Sequence, residues 1–239
     1  MWYRFVLSAL LLLAGSASAQ VAKQMSSDTL YGIGNEIIVT ATRTEKKLGN
    51  VAVPVTLISS KQIAQAGSVR LADILQEQTG LFLTTGFGAG VQMQGLNPDY
   101  TLVLLNGEPL VGRTAGILDL NRITVGNIKQ IEIVKGPSSS LYGSEAMAGV
   151  INIITTAPKQ NDFDITARYG SFNTSDINAK INIVKNKLSY QGFVNNYHTS
   201  GFSVRPNSQT SFVAPINRFT QQHQIGHQYS DNTKLLVSL

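Results

Sequence analysis

The sequence contains no cysteine, and this absence removes several kinds of chemistry at once. Without thiols the chain forms no disulfide, holds no metal through thiolates, offers no cysteine nucleophile and carries no lipid-modified cysteine. Charged residues are also scarce, at 14% of the chain, and the net charge of +5 is spread along it. The densest basic stretch is Lys46-Lys47, so the sequence indicates neither a nucleic-acid surface nor a patch for anionic membranes.

Long apolar runs are missing too, except near the N-terminus. There, Arg4 precedes an apolar run over residues 5–14, and small residues follow as far as Ala19. This order is typical of a secretory signal peptide and predicts that residues 1–19 are removed before Gln20. The alternative, a membrane anchor, needs about 20 apolar residues to cross a bilayer. Any membrane-embedded part must therefore use β-strands.

Motifs for phosphate binding and nucleophilic catalysis are absent as well. Neither G-x-x-x-x-G-K-[ST] nor G-x-S-x-G occurs, and the glycines of residues 86–90 lack dinucleotide-loop spacing. In the His223 to His227 pair, Gln224 occupies the place of the general base in H-E-x-x-H. On a strand these histidines share a face, either as a surface metal pair or, the interpretation we favour, as two exposed side chains. We expect no catalytic residue, no bound metal and no cofactor.

Residues 128–155 are the most informative stretch that is present. Ile131 and Ile133 alternate with Glu132, which predicts a half-buried strand, whereas the apolar run 150–154 predicts a strand covered on both faces. Between them, Gly136-Pro137 predicts a turn, and the serines of residues 138–140 are suited to cap a helix.

Residues 51–127 have the pattern of a compact α+β unit. Ser60 opens a predicted helix closed by Gly67. Ser68 is predicted to cap a second helix ending at Gly80. The apolar face of that second helix consists of Leu71, Ile74 and Leu75. Short strands are expected at 54–59, 81–84, 91–94 and 101–105, with Asn106-Gly107 as a hairpin turn.

The order of the residues from 51 to 155 resembles that of the plug domain of TonB-dependent outer-membrane receptors, most closely over residues 128–155. The resemblance implies a plug over residues 51–158 that sits inside a barrel. Three positions depart from the family pattern: Gln94 replaces an arginine before Gly95, Asn106 replaces an aspartate, and Ala148 replaces a glycine. Asn106 keeps the turn chemistry. Gln94 lacks a guanidinium, so a plug-to-barrel ion pair there is not expected.

A β-prone run before the plug resembles a TonB box. The resemblance implies that it adds as a strand to the energy-transducing protein TonB through main-chain hydrogen bonds. The predicted TonB-binding residues are Glu36, Ile37, Ile38, Val39, Thr40 and Ala41. The alternative is an ordinary first strand of the plug sheet. The surrounding leader, residues 20–50, is too short for an additional signalling module.

Residues 159–239 alternate apolar and polar side chains between Gly, Asn and Ser turns. Apolar residues recur at every second position, for example in Phe163, Ile165, Ala167 and Tyr169. A transmembrane barrel wall and a soluble sandwich both have this pattern. Four or five such strands are expected, and a closed barrel needs about eight. The predicted fold class is an α+β plug domain followed by the first antiparallel strands of an incomplete transmembrane β-barrel.

The resemblance also implies where a ligand binds, because in this family the contacts come from outward-facing plug loops. The corresponding candidates are Thr85, Gly86, Phe87, Gly88, Ala89, Gly90, Val111, Gly112, Arg113, Thr114, Ala115 and Gly116. Among them, Arg113 is suited to an anionic group and Phe87 to an aromatic one, unless both simply pack against the wall.

The implied function is import of a scarce nutrient such as an iron-siderophore, haem or cobalamin across the outer membrane. The expected partners are TonB, an extracellular small molecule, with iron- and cobalt-containing ligands as candidates, and outer-membrane lipid, without nucleic acid. The alternatives are a soluble periplasmic plug-like binding module, a non-transporting fragment, and a secreted β-rich enzyme. The last of these lacks a visible catalytic constellation.

Overall fold

A computed structural model describes residues 37–38, 46–51, 53–85, 88–203, 212–230 and 233–238. The predicted signal peptide lies outside the described residues, as do Glu36, Val39, Thr40, Ala41, Gly86 and Phe87. Of the predicted TonB box, β1 (Ile37–Ile38) is described, and it pairs antiparallel with β2 (Lys46–Lys47). This pair is separate from the main sheet that follows, so β1 is not the first strand of that sheet.

The N-terminal unit, residues 46–155, combines helices with a five-stranded sheet. After β2 its elements are β3 (Val55–Ser59), α1 (Ser60–Ala66), α2 (Leu71–Gln76), β4 (Leu81–Thr85), β5 (Ala89–Met93), β6 (Thr101–Leu105), β7 (Glu108–Pro109), β8 (Ile128–Lys135), α3 (Ser139–Tyr142) and β9 (Gly149–Thr155). The strand order is β3-β8-β9-β6-β7. β6 and β9 are parallel, and the other neighbours are antiparallel. β4 and β5 form a hairpin of their own.

Helix α1 begins and ends at signals present in the sequence. The Ser59 hydroxyl accepts a hydrogen bond from the Gln62 backbone, and the Gln62 side chain accepts one from the Ser59 backbone. This reciprocal capping box satisfies two backbone donors that the helix leaves free. Gly67 ends the helix in the left-handed conformation, with φ of 67°.

Helix α2 is shorter than predicted, and Ser68 is not its cap. The residue before the helix is Arg70, which makes no side-chain capping bond, and the helix stops before Glu77 rather than at Gly80. The chain stays extended up to Arg70 because that residue pairs with Thr124 as an antiparallel bridge. A tertiary contact therefore overrides the local serine signal.

The core of the unit lies between α2 and the main sheet. The predicted apolar face of α2 is buried, which confirms that prediction. It packs in one cluster with Ile131, Ile133, Ile151 and Ile153 of β8 and β9. Each such side chain stabilises the fold by roughly 1.5–3 kcal/mol. The expectation of a half-buried β8 is wrong, because Glu132 is also fully buried and accepts a hydrogen bond of 2.7 Å from Gln130.

The predicted Asn106-Gly107 turn is confirmed and joins β6 to β7. Both residues have positive φ, 52° and 89°, as a two-residue hairpin of this type requires. The Asn106 side chain also holds β9, because its Oδ1 accepts from the Thr155 backbone at 2.9 Å and its Nδ2 donates to the Thr155 hydroxyl at 3.0 Å.

The C-terminal sheet has five antiparallel strands in the order β10-β11-β12-β15-β16. They are β10 (Asp162–Gly170), β11 (Thr174–Lys185), β12 (Leu188–Thr199), β15 (Ile216–Ser230) and β16 (Thr233–Ser238). A small pair, β13 (Phe202–Ser203) and β14 (Phe212–Val213), lies in the connection between β12 and β15. The four or five strands expected from the sequence are therefore present as five, and this sheet is open among the described residues.

None of the helices in the described ranges has the length and apolar character needed to cross a membrane.

Candidate functional site

The C-terminal sheet buries its polar face and exposes its apolar one. The exposed side chains include Phe163, Ile165, Tyr169, Ile177, Ile181, Ile183, Phe219 and Ile225. The buried ones include Asp176, Asn178, Asn182, Gln191, Asn195 and Thr199. A soluble sandwich would do the reverse, because burial of apolar surface drives its folding. The arrangement is that of a transmembrane barrel wall, with an outward face for lipid and an inward polar face.

A buried network of amide and hydroxyl groups joins the N-terminal unit to this inward face. Asn127 Nδ2 donates to Gln191 Oε1 at 3.1 Å, and Thr156 Oγ1 donates to Asn127 Oδ1 at 2.6 Å. Gln191 in turn donates to Asn182 Oδ1 at 2.9 Å. Because each group has partners, the network carries little desolvation penalty and fixes the position of the unit on the wall.

One apolar side chain interrupts the polar inward face. Phe193 of β12 is fully buried, and its ring lies against Gly126. A Cβ atom on Gly126 would be only 3.1 Å from Phe193 Cζ, so the absence of a side chain allows this close approach.

The first predicted ligand loop is shorter than the sequence indicated. Thr85 ends β4, and Ala89 and Gly90 belong to β5, where both are buried. Their role as ligand contacts stays a prediction. Gly88 approaches Asp119 closely, and the Asp119 carboxylate accepts a 3.0 Å hydrogen bond from the Ala89 backbone.

The second predicted loop, residues 111–116, is a tight and mostly exposed turn. Val111, Gly112, Thr114 and Ala115 are exposed. Thr114 and Ile117 form an antiparallel bridge across the turn. The segment after this turn packs against β5, because a Cβ atom on Gly90 would lie 3.0 Å from Ile117.

The Arg113 side chain forms hydrogen bonds with the backbone of the N-terminal unit. Its guanidinium donates to three backbone carbonyls, those of Asp99, Thr101 and Gly116, at 3.2–3.3 Å. It also lies 3.7 Å from the Glu145 carboxylate. All four partners belong to the N-terminal unit, so these contacts hold the turn within that unit.

Sequence reasoning missed a cluster of arginines between the unit and the wall. Arg70 is buried, its guanidinium carbon lies 3.5 Å above the Tyr197 ring, and its Nη1 donates to the Asn121 carbonyl at 3.0 Å. Arg218 of β15 donates to the same carbonyl oxygen, and Arg122 is its charged neighbour. No local signal identifies such a cluster, since Arg70 and Arg218 come from distant parts of the sequence.

The charge in this cluster is only partly compensated. Two guanidiniums that share one acceptor lie within about 6 Å of each other. At that separation like charges repel by about 3 kcal/mol in a medium of effective dielectric 20. Asp73 is a further charged neighbour of Arg70: burial raises the pKa of its carboxyl group, and the Arg70 guanidinium lowers it.

The histidine pair lies on the outward face, where each ring has a tyrosine neighbour. His223 Nδ1 is 2.9 Å from the Tyr190 hydroxyl, and the His227 ring packs edge-on against Tyr229. Within the described part of the chain, no three His, Cys, Asp or Glu side chains converge as metal ligands do.

Comparison with known proteins agrees with this architecture. Residues 47–150 match the family of TonB-dependent receptor plug domains. The chain carries the plug domain of a TonB-dependent receptor. Its plug is the N-terminal unit described above, and the wall against which it lies is the C-terminal sheet.

Among its relatives, the vitamin B12 transporter BtuB of Vibrio vulnificus (strain CMCP6) is 35% identical over 135 residues, which cover 55% of this chain and 22% of that protein. BtuB of Vibrio cholerae serotype O1 (strain O395) is 31% identical over 176 residues, which cover 71% of this chain and 29% of that protein. The crystal structure of the siderophore receptor PiuA from Acinetobacter baumannii aligns with a TM-score of 0.67 at 21% identity, covering 81% of this chain and 26% of the receptor. The chain spans about a quarter of the length of these proteins.

Proposed function

We propose that this chain is the N-terminal portion of an outer-membrane transporter that imports a scarce nutrient. The observation that carries the proposal is the plug docked on the polar face of a wall whose opposite face is apolar. Such a wall needs lipid around it, and a plug on its inner side obstructs a lumen. The exposed apolar face argues against a soluble periplasmic module. The relatives described above are named as transporters and receptors, and this supports binding and transport without catalysis.

The proposed organisation keeps the boundaries predicted from the sequence. Residues 1–19 direct export and are removed, residues 20–50 form a leader with the TonB box, residues 51–158 form the plug, and residues 159–239 begin the wall. The protein then resides in the outer membrane, in contact with its lipid. Vitamin B12 and siderophores are bound by relatives according to their names, so cobalamin and ferric siderophores are the first cargoes to test, with haem as a third.

TonB is the proposed source of energy, through strand addition at residues 36–41. The extended pair of β1 with β2 supports this, because it lies apart from the plug sheet and already uses main-chain pairing at Ile37 and Ile38. In the complex, a strand of TonB would take the place of β2 as the partner of β1.

The test is Ile38→Pro at the chromosomal locus of the source bacterium, with Ile38→Val as the matched control. Proline removes a backbone donor and fixes φ, so TonB pairing fails, whereas valine keeps both the donor and the β-propensity. Uptake of radiolabelled cobalamin, haem and ferric siderophores should collapse in Ile38→Pro while cell-surface binding persists. Normal uptake by Ile38→Pro at normal protein level places the box elsewhere. Wild-type cells that gain no uptake over a deletion strain, for any cargo, refute the transport proposal.

A further inference from the structure

The arginine cluster between plug and wall has the features of a binding site for a negatively charged group. We propose that Arg70 and Arg218 form an oxyanion subsite that takes a carboxylate or phosphate group of the imported nutrient. The proposal rests on the transport function above and assigns a chemical class to one part of the cargo. Its support comes from unmet hydrogen bonding, from charge and from position.

Unmet hydrogen bonding is clearest at Arg70, which is 7% exposed. Its Nη1 has the Asn121 carbonyl, but its Nη2 is excluded from solvent and has no hydrogen-bond partner among the described residues. The Tyr197 ring beneath the guanidinium offers a π face, which attracts the charge but accepts no strong hydrogen bond. Buried donors without partners are rare in native proteins, and an oxyanion supplies the missing acceptor.

Charge gives the second argument. Arg70 and Arg218 converge on one neutral carbonyl, and within the described ranges no carboxylate forms an ion pair with either. Asp119 is a charged neighbour of Arg218, but its Oδ1 already accepts from the backbones of Ala89 and Asn121. An anion between two planar guanidiniums relieves their repulsion and makes charge-assisted hydrogen bonds to both.

Position gives the third argument. Tyr197 lies near the end of β12 and Arg218 near the start of β15, so the cluster is beside the long connection of residues 200–215. Barrel proteins place long connections outside the cell and short turns in the periplasm, and the turn between β11 and β12 is short. Asp119 also connects this region to the predicted ligand loop at Gly88. The subsite therefore lies at the end of the wall from which a nutrient arrives.

The experiment measures anion binding to the whole transporter proposed above, purified in detergent, by titration calorimetry at constant ionic strength in chloride. Inorganic phosphate and citrate are the two probes, so that a free phosphate site and a carboxylate site are distinguished. The variants are Arg70→Gln, Arg218→Gln and the charge-keeping Arg218→Lys. The matched control is Arg168→Gln, because Arg168 is also a wall arginine but has a carboxylate partner, Asp176, at 3.4 Å.

We expect phosphate, citrate or both to bind the wild type, and Arg70→Gln and Arg218→Gln to weaken binding by at least on the order of tenfold. Arg218→Lys should recover part of the loss, and Arg168→Gln should bind as the wild type does. Stronger binding of citrate identifies a carboxylate as the group, and stronger binding of phosphate identifies a phosphate.

Equal affinity in the wild type and both glutamine variants means an adventitious ion only and overturns the proposal. So does the absence of anion binding in a folded wild type, which leaves the arginines as a plug-to-wall contact. If Arg218→Gln does not fold, the Arg218→Lys variant is the test instead. A folded Arg218→Lys variant that binds the anion with the affinity of the wild type also overturns the proposal. Failure here is separate from failure of the transport function, because uptake that depends on Ile38 can persist without an anion subsite.

Discussion

Phe193 is the residue that most directly fixes the plug on the wall. Its neighbours along β12, Gly192 and Val194, belong to the opposite face, and Val194 is exposed. Phe193 occupies an inward position whose cross-strand partners, Lys180 and Gln222, are polar, and it fits there because Gly126 has no side chain. A single apolar contact inside a polar interface therefore adds packing to the directional hydrogen bonds of Asn127 and Gln191.

We predict that Phe193→Ala destabilises the docked state by roughly 3–5 kcal/mol, because it leaves a cavity at a fully buried position. Val194→Ala on the outward face of the same strand is the control and should cost much less. The measurement is the urea midpoint of the whole transporter proposed above, in detergent, with protease sensitivity of the plug as a second readout. Equal midpoints for the two variants would show that Phe193 does not hold the plug.

At the scale of elements, the β6–β7 hairpin has two functions in one turn. Asn106 and Gly107 supply the positive φ angles that reverse the chain, and the Asn106 side chain pairs with Thr155 at the end of β9. The Gly107 backbone also donates to the buried Asn152 side chain at 3.0 Å. The turn thereby ties an edge hairpin to the central strand of the plug sheet.

Two substitutions separate these functions. Asn106→Gly keeps the backbone conformation but loses the bonds to Thr155, and we expect a loss of about 1 kcal/mol in unfolding free energy. Asn106→Ala loses the bonds and also strains a position with φ of 52°, so it should cost about 1–2 kcal/mol more. Chemical denaturation followed by circular dichroism measures both. If alanine is no worse than glycine, backbone strain at this turn is unimportant.

At the scale of the whole molecule, plug and wall differ in what they need in order to be stable. The plug has its own apolar core between α2 and the sheet. The wall exposes its apolar face, and in water its open edges offer unpaired main-chain groups to other chains.

We therefore predict that residues 20–158 alone are soluble and at least partly folded, whereas residues 20–239 alone aggregate or are degraded and conduct no ions in bilayers. Amide exchange and protease resistance test the first expectation, and conductance after reconstitution in lipid tests the second. A heat-modifiable, protease-resistant species formed by residues 20–239 in bilayers would contradict our prediction, since it would show that these strands close a barrel, for example by oligomerising.

Prediction from sequence succeeded where the signal is local. The Asn106-Gly107 turn, the apolar face of α2 and the Gly67 helix stop follow from residue chemistry within a few positions, and all three are found. It failed where a distant segment intervenes. Arg70 pairs with Thr124, so α2 begins later in the chain than predicted. The burial of Glu132 depends on β3 and β9, the strands on either side of β8.

The sequence by itself determined most of the elements of the plug and the two-residue alternation of the wall, because turn chemistry and side-chain period are encoded locally. It did not determine which face of the wall turns inward, since lipid-facing and water-facing sheets share the same alternation. Only the tertiary structure decided that the polar face meets the plug, that Arg113 is occupied by backbone carbonyls, and that Arg70 and Arg218 converge on Asn121. The physical reason is that such contacts join segments that are far apart in the chain, and their geometry exists only after the plug has docked.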